Sequence, residues 1–600
     1  QIETFSPIPW PYFCRRIRFA LCKSRFSGRN IAFQTGIGDR GRGRFGDGRF
    51  RARFSAVAGF FRWLGAGTKR QQCGRRQDKD RLEAHHANIF LSYSRCRATR
   101  QASIVAQQVC NLATGPFRQF AMNANLYAHF QSAFALDWQA PALVDAHGSG
   151  LSFGELDELS ARFAAVLRGR GVGPGDRIVV QVEKSVGAVA LYLACLRAGA
   201  IFVPLNTAYT PAEIEYFIKD AEPRLCVSAA DMAGPDAPIW AEARACDPDN
   251  AVVSRSADDI ASIIYTSGTT GRSKGAMLSN GNLLSNARTL IDIWALKPDD
   301  VLIHALPIFH VHGLFVALHT MFLNRSKTIF LAKFDVSEVI GLMSQATILM
   351  GVPTFYTRLL ADASLDKDAA RAMRLFISGS APLLAETHRA FEARTGMRIL
   401  ERYGMTEAGM ITSNPLEGDR IAGTVGMPLP GVELRLADAH GKPVTPGSPG
   451  VIEIRGPNVF KGYWRNPEKT AEDIRPDGWF ITGDIATIDA EGRVTIVGRA
   501  KDLIISGGYN IYPKEIEEVI DAVPGVVESA VIGVPNADFG ESVLAVIVGD
   551  ASLEPSVRAA IDGNLARFKH PRRLIFVEDL PRNAMGKVQK AALRQNYSGG

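Results

Sequence analysis

Residues 265–275 read Tyr-Thr-Ser-Gly-Thr-Thr-Gly-Arg-Ser-Lys-Gly, and this run decides how the rest of the chain is read. Tyr265 closes the apolar stretch Ile263-Ile264, a strand end. Gly268 and Gly271 let the backbone approach an anion closely. Thr266, Ser267, Thr269 and Thr270 add hydroxyl and N–H donors, and Lys274 adds a point charge. Eleven consecutive residues of this kind specify a phosphate cradle rather than a plain polar surface loop. The GxxxxGK[ST] spacing is absent, so this is not the P-loop pattern.

Outward from that loop the texture is α/β. Residues 177–182 read as a buried strand, 186–198 as the helix after it and 199–204 as the next strand. Residues 328–332, 347–352 and 375–378 read as further strands ending in loops. This texture implies largely parallel sheets covered by helices, with ligands beyond the carboxyl ends of the strands. Past Gly498-Arg499 it changes. Residues 515–522 and 555–566 read as helices and 526–534 and 543–548 as strands. The expected architecture is therefore α/β, with a large region of parallel-rich sheets over 122–498 and a small, mobile α+β domain over 499–600. Residues 499–502 are the joint.

Six hundred residues exceed one ordinary domain at roughly 150 residues each. The formal charge of +8 is unevenly spread. Residues 1–121 hold 23 Lys+Arg against 6 Asp+Glu, leaving 46 against 55 for residues 122–600. The body is thus mildly acidic, and no nucleic-acid partner is expected for it. No apolar run approaches the roughly 20 residues of a membrane span. Five of the eight cysteines (Cys14, Cys22, Cys73, Cys96, Cys110) also lie in the first 121 residues, and none forms a CxxC pair. The body reads as a reduced, cytoplasmic protein. The basic segment is expected to be disordered under each of three readings: translated sequence upstream of a start at Met122, a transit peptide to the mitochondrion, or a basic arm.

The loop resembles the signature of the adenylate-forming superfamily, which includes acyl-CoA synthetases, luciferases and peptide-synthetase adenylation domains. Ser273 stands where that family usually has proline. The resemblance spans about 122–600, and further motifs follow in order. The loop with Gly379, Ser380 and Ala381 resembles the adenine-side loop. Residues 401–407, Glu-Arg-Tyr-Gly-Met-Thr-Glu, resemble the motif that stacks adenine on Tyr403 and sets Thr406 and Glu407 by the phosphates and Mg²⁺. Glu401, Arg402, Gly404 and Met405 belong to the same motif. A hard cation bridging phosphates needs carboxylate oxygen, which suits Glu407.

By the same resemblance, Asp484 and Arg499 hold the ribose and Lys501 is the hinge. Lys587 bridges the reacting carboxylate and the α-phosphate, stabilising developing charge. Ser506, Gly507 and Gly508 line the path of coenzyme A, and Arg567 and Lys569 could meet its phosphates. The implied reaction consumes ATP, forms an acyl-adenylate and passes the acyl group to coenzyme A.

Three segments narrow the acid: residues 350–358, 376–388 and 456–464. Together they resemble the malonyl-CoA synthetases. His310 is expected at the pocket, and Arg358 is expected to pair with a second carboxylate of malonate or a related small acid. Ala408 departs from the threonine usual after that glutamate. Two alternatives stay open: a ligase for aryl or medium-chain acids, and a stand-alone adenylation enzyme that loads a carrier protein.

Overall fold

The computed structural model describes residues 123–597, except Pro235, 267–272, Ala439, 507–508, 537–538 and 584–585. The expectation for residues 1–121, and those for Ser267, Gly268, Thr269, Thr270, Gly271, Gly507 and Gly508, lie outside the described residues.

Two large sheets form the body. One has the strand order Leu225–Ser228, Arg177–Gln181, Ile201–Pro204, Ile260–Thr266, Lys274–Ser279. Its first four strands run parallel and the last returns antiparallel. The other has nine strands. Its parallel centre runs Ile399–Met405, Leu375–Ser378, Ile348–Gly351, Val301–His304, Lys327–Phe330 and Pro141–Val144. Antiparallel strands finish both of its edges.

The helix Val186–Ala198 shows why the two sheets cohere. Every residue from Gly187 to Ala198 is buried, so it is apolar all round. The Ser185 side chain caps its start by accepting from Ala188 N–H, and Gly199 ends it at φ 70°. Its one charge, Arg197, is fully buried and meets Asp157 Oδ1 at 2.6 Å and Tyr127 Oη at 2.6 Å. One continuous apolar core joins residues of both sheets around this helix.

A third sheet was not legible. Glu433–Ala437, Gly450–Arg455, Phe480–Ile488 and Val494–Arg499 pair antiparallel throughout. Its interior is partly charged, which breaks the apolar runs a sequence reading relies on. Buried Glu453 is clamped by Arg435 Nη2 at 2.7 Å and by Arg475 Nε at 2.7 Å. After Arg499 comes one turn of 3₁₀ helix, Ala500–Asp502, and then a five-stranded sheet. In that sheet Gly540–Val548 pairs with Glu528–Asn536 antiparallel and with Arg573–Val577 parallel. Among the described residues no helix is long and apolar enough to cross a membrane.

Candidate active site

Strands Ile260–Thr266 and Lys274–Ser279 pair with Thr266 opposite Lys274. These two strands flank the glycine-rich run, and Lys274 lies within the second strand. Two side chains hold the base of this pair. Tyr216 donates to the Ser273 carbonyl at 2.8 Å, and Tyr265 donates to Asp220 Oδ2 at 2.6 Å. The Lys274 ammonium stands 5.4 Å from the centroid of the Tyr463 ring.

Strand Ile399–Met405 forms the next wall. Tyr403 donates its hydroxyl hydrogen to Asp484 Oδ2 at 2.7 Å. Asp484 and Arg499 are direct partners on neighbouring strands, with Arg499 Nε 3.0 Å from Asp484 Oδ1. Thr406 and Glu407 occupy the turn into Gly409–Ser413, where Gly404 faces Met410 and Met405 faces Gly409. Glu407 is buried and accepts from the Tyr463 hydroxyl at 3.2 Å. Burial raises its carboxyl above the usual range, and the Tyr463 hydrogen bond opposes that shift.

Glu401 was expected among the nucleotide contacts, but its carboxylate is already engaged. His388 Nδ1 lies 2.9 Å away in a buried contact, and the Gly423 N–H donates from 3.3 Å at the part-buried margin. This is the structural pairing that a buried charge requires.

Lys587 reaches the same region from the small C-terminal part. Its N–H donates to Asn583 Oδ1 at 3.0 Å. The preceding Gly586, at φ 72°, runs close beside Thr354, where an added Cβ would be 3.5 Å from that side chain. Withdrawal from water and the nearby Arg499 cation lower the Lys587 pKa to about 8, with Lys501 adding to the effect. Asp484 and Asp502 oppose it. Lys501 itself, in the 3₁₀ turn, is lowered chiefly by burial.

Ser506 belongs to a hairpin of the small sheet, paired with Tyr509 and Gly540. That hairpin faces solvent: Ile505 is 54% and Tyr509 56% exposed. The Tyr509 ring stacks on Phe568 at 4.6 Å. Neighbouring Lys569 is paired with Glu515 at 2.5 Å.

Near Lys587 and Arg402, the His312 N–H donates to His310 Nδ1 at 3.2 Å. A neutral His310 therefore carries its proton on Nε2, an assignment made from this bond. Burial, with the Arg402 and Lys587 charges, lowers the His310 pKa to about 4, so the ring is neutral near pH 7. His312 opens a π-helical turn, His312–Leu318, and its Nδ1 meets Ser380 Oγ at 3.2 Å. Ser380 holds φ 74°, a left-handed conformation uncommon outside glycine. Gly379 before it is packed against Arg402, where an added Cβ would fall 2.1 Å from Nη1. Ala381 completes this loop.

Arg402, expected among the nucleotide contacts, lies within strand Ile399–Met405. It is buried, and its Nε and Nη2 have no partner among the described residues. Burial lowers its pKa to about 9. Arg358 shows the opposite. On helix Pro353–Ala361 the buried positions are Tyr356 and Leu359, and Arg358 is exposed. The expected pairing of Arg358 with a second carboxylate would be made from this exposed position, whereas Arg402 is a buried cation beside His310. The mark of Arg402 in the sequence is its place immediately before Tyr403.

Residues 130–464 match the model of the AMP-binding enzyme family, and residues 515–587 match that of the AMP-binding enzyme C-terminal domain. The chain is 35% identical to a feruloyl-CoA synthase of Amycolatopsis, over 75% of this chain and 94% of that one. It is also 35% identical to a malonate–CoA ligase of Arabidopsis thaliana, over 76% and 86% respectively. Among solved structures it resembles ATP-bound MatB from Rhodopseudomonas palustris, with 54% identity, 80% of this chain and 99% of that one covered, and a TM-score of 0.76.

Proposed function

The chain belongs to the AMP-binding enzyme family and is an acyl-CoA ligase, and from that premise we propose that its acid is malonate or a closely related small dicarboxylate. The observation that carries the choice of acid is Arg402. A buried guanidinium with unused N–H groups is costly unless an anion completes it. Its planar fork suits a carboxylate, which it binds through two parallel hydrogen bonds. The acid would enter with one carboxylate toward Arg402 and the other toward the nucleotide.

In the first step, an oxygen of the near carboxylate attacks the α-phosphorus of ATP, and pyrophosphate leaves. The protein positions the reactants and offsets charge, which is most of what phosphoryl chemistry demands. Tyr403 supplies a ring face for adenine. Asp484 and Arg499 offer an acceptor and a donor to the ribose. His310 Nε2–H donates to the reacting carboxylate without adding charge. The Lys587 ammonium bridges that carboxylate and the α-phosphate, where negative charge accumulates.

Glu407 would hold a magnesium ion. Its buried carboxylate is a hard oxygen donor. Among the described residues no cluster of three His, Cys, Asp or Glu could hold a metal by itself. That fits a cation whose remaining ligands are phosphates and water. When bound, such an ion neutralises phosphate charge.

The second step forms the thioester: the thiol of coenzyme A attacks the acyl carbon and AMP leaves. In the reading above, Lys587 stands beside that carbon during the first step. We therefore infer that the part after Arg499 turns about Lys501, bringing in the hairpin of Ser506 with Gly507 and Gly508. Arg567 and Lys569 are then candidates for the phosphates of coenzyme A.

Pyrophosphate release across a panel of acids, with ATP, Mg²⁺ and coenzyme A present, tests the reading. Malonate should be used best and monocarboxylates poorly. Better turnover of ferulate or butyrate than of malonate would overturn the dicarboxylate assignment and leave the ligase class intact.

A further inference from the structure

Lys274 and Glu407 come from separate elements, strand Lys274–Ser279 and the turn after strand Ile399–Met405. One side chain touches both. The Tyr463 ring lies under the Lys274 ammonium at 5.4 Å, and its hydroxyl donates to Glu407 Oε1 at 3.2 Å. We propose that Tyr463 is a positioning residue that sets Lys274 and Glu407 relative to each other around the phosphates of the nucleotide. The proposal rests on the reading above of Lys274 and Glu407.

The surroundings fix this tyrosine closely. Residues 461–464 run antiparallel beside strand Lys274–Ser279. Lys461 N–H donates to the Met277 carbonyl at 2.8 Å and Trp464 N–H to the Gly275 carbonyl at 2.7 Å. Ala276 and Tyr463 form a bridge pair. Tyr463 N–H donates to Thr470 Oγ1 at 2.9 Å. The ring is 6% exposed and packs edge-on against Phe460 at 4.9 Å. The Asp473 carboxylate faces the same hydroxyl and is itself held by Lys469 at 2.8 Å.

The Lys274 ammonium lies over this ring face, and the Glu472 carboxylate also feels its charge. Glu407 needs one oxygen held if the carboxylate is to present a constant direction to a cation. Partners behind a metal ligand commonly change metal affinity by 10–100-fold. An ordinary core tyrosine would need its ring here but not its hydroxyl.

The test is calorimetric binding of a nonhydrolysable ATP analogue to the full chain, with and without Mg²⁺. Tyr463→Phe keeps the ring and the packing. It should leave metal-free affinity unchanged and reduce the Mg²⁺-dependent gain about tenfold. Tyr463→Leu should weaken binding in both conditions, because the face under Lys274 is lost. Wild-type binding by Tyr463→Phe in both conditions overturns the proposal. Glu407→Gln separates the two readings. If it abolishes the Mg²⁺ gain while Tyr463→Phe retains it, only the Tyr463 proposal falls. If it leaves the gain intact, the assignment of Glu407 falls and takes the Tyr463 proposal with it.

Discussion

Asp484 and Arg499 stand opposite each other on neighbouring antiparallel strands, with Arg499 Nε 3.0 Å from one carboxylate oxygen and the Tyr403 hydroxyl 2.7 Å from the other. One carboxylate thus couples Tyr403 to Arg499, the last residue before the 3₁₀ joint. Asp484→Asn keeps the shape but loses the charge. Hydrogen bonds to charged groups are worth about 1.5–3 kcal/mol. The KM for ATP should therefore rise about ten- to a hundredfold in steady-state kinetics, with the KM for the acid little changed.

Lys587 sets the pH profile. Its ammonium is the form that offsets charge, and its pKa lies at about 8. Adenylate formation, measured by pyrophosphate exchange, should decline as pH rises through about 8. His310, at about 4, is neutral throughout the neutral range and adds no break there. The stability effect has the opposite sense. The folded pKa of Lys587 lies below its usual 10.5, so between these values the unfolded chain binds more protons. Stability contributed by this group rises with pH across that interval, and Lys587→Met removes the rise from denaturant melts.

Arg402→Met should abolish preference for dicarboxylates without harming the fold. Replacing an uncompensated buried cation with an apolar residue is neutral or stabilising by about 1–4 kcal/mol. The acid panel should show a loss in kcat/KM for malonate of at least a hundredfold, on the order of a lost charged pair. Arg358→Ala, at an exposed position, should stay within about twofold of wild type.

Gly379→Ala probes the same end from the other side. The added Cβ would lie 2.1 Å from Arg402 Nη1. The guanidinium can swing away, so the cost in stability is modest, about 1 kcal/mol. Steady-state kinetics should show a higher KM for the acid and an unchanged KM for ATP.

Much of the fold was legible because local chemistry wrote it. The helix at 186–198 was read with its observed bounds, since its apolar run begins after a capping serine and stops at a glycine that takes φ 70°. The parallel strands were found because strands buried on both faces read as apolar runs, as at Ile348–Gly351 and Leu375–Ser378. The antiparallel sheet over 433–499 escaped because its interior accommodates Glu453 between two arginines, and no local pattern announces an ion pair spanning some twenty residues.

By itself the sequence determined the chemical repertoire: a glycine-rich loop with Lys274, a tyrosine before a Thr-Glu pair, an isolated aspartate and a C-terminal lysine. These are short patterns of residue types, and their meaning survives without coordinates. Which arginine is buried was decided only by the tertiary structure. Arg358 and Arg402 are equally plausible as letters. Helix packing spends the buried side of Pro353–Ala361 on Tyr356 and Leu359 and leaves Arg358 in water. The strand carrying Arg402 is central, and Gly379 leaves room for its guanidinium. Burial depends on neighbours distant in sequence, and burial turns an ordinary cation into one that needs an anion.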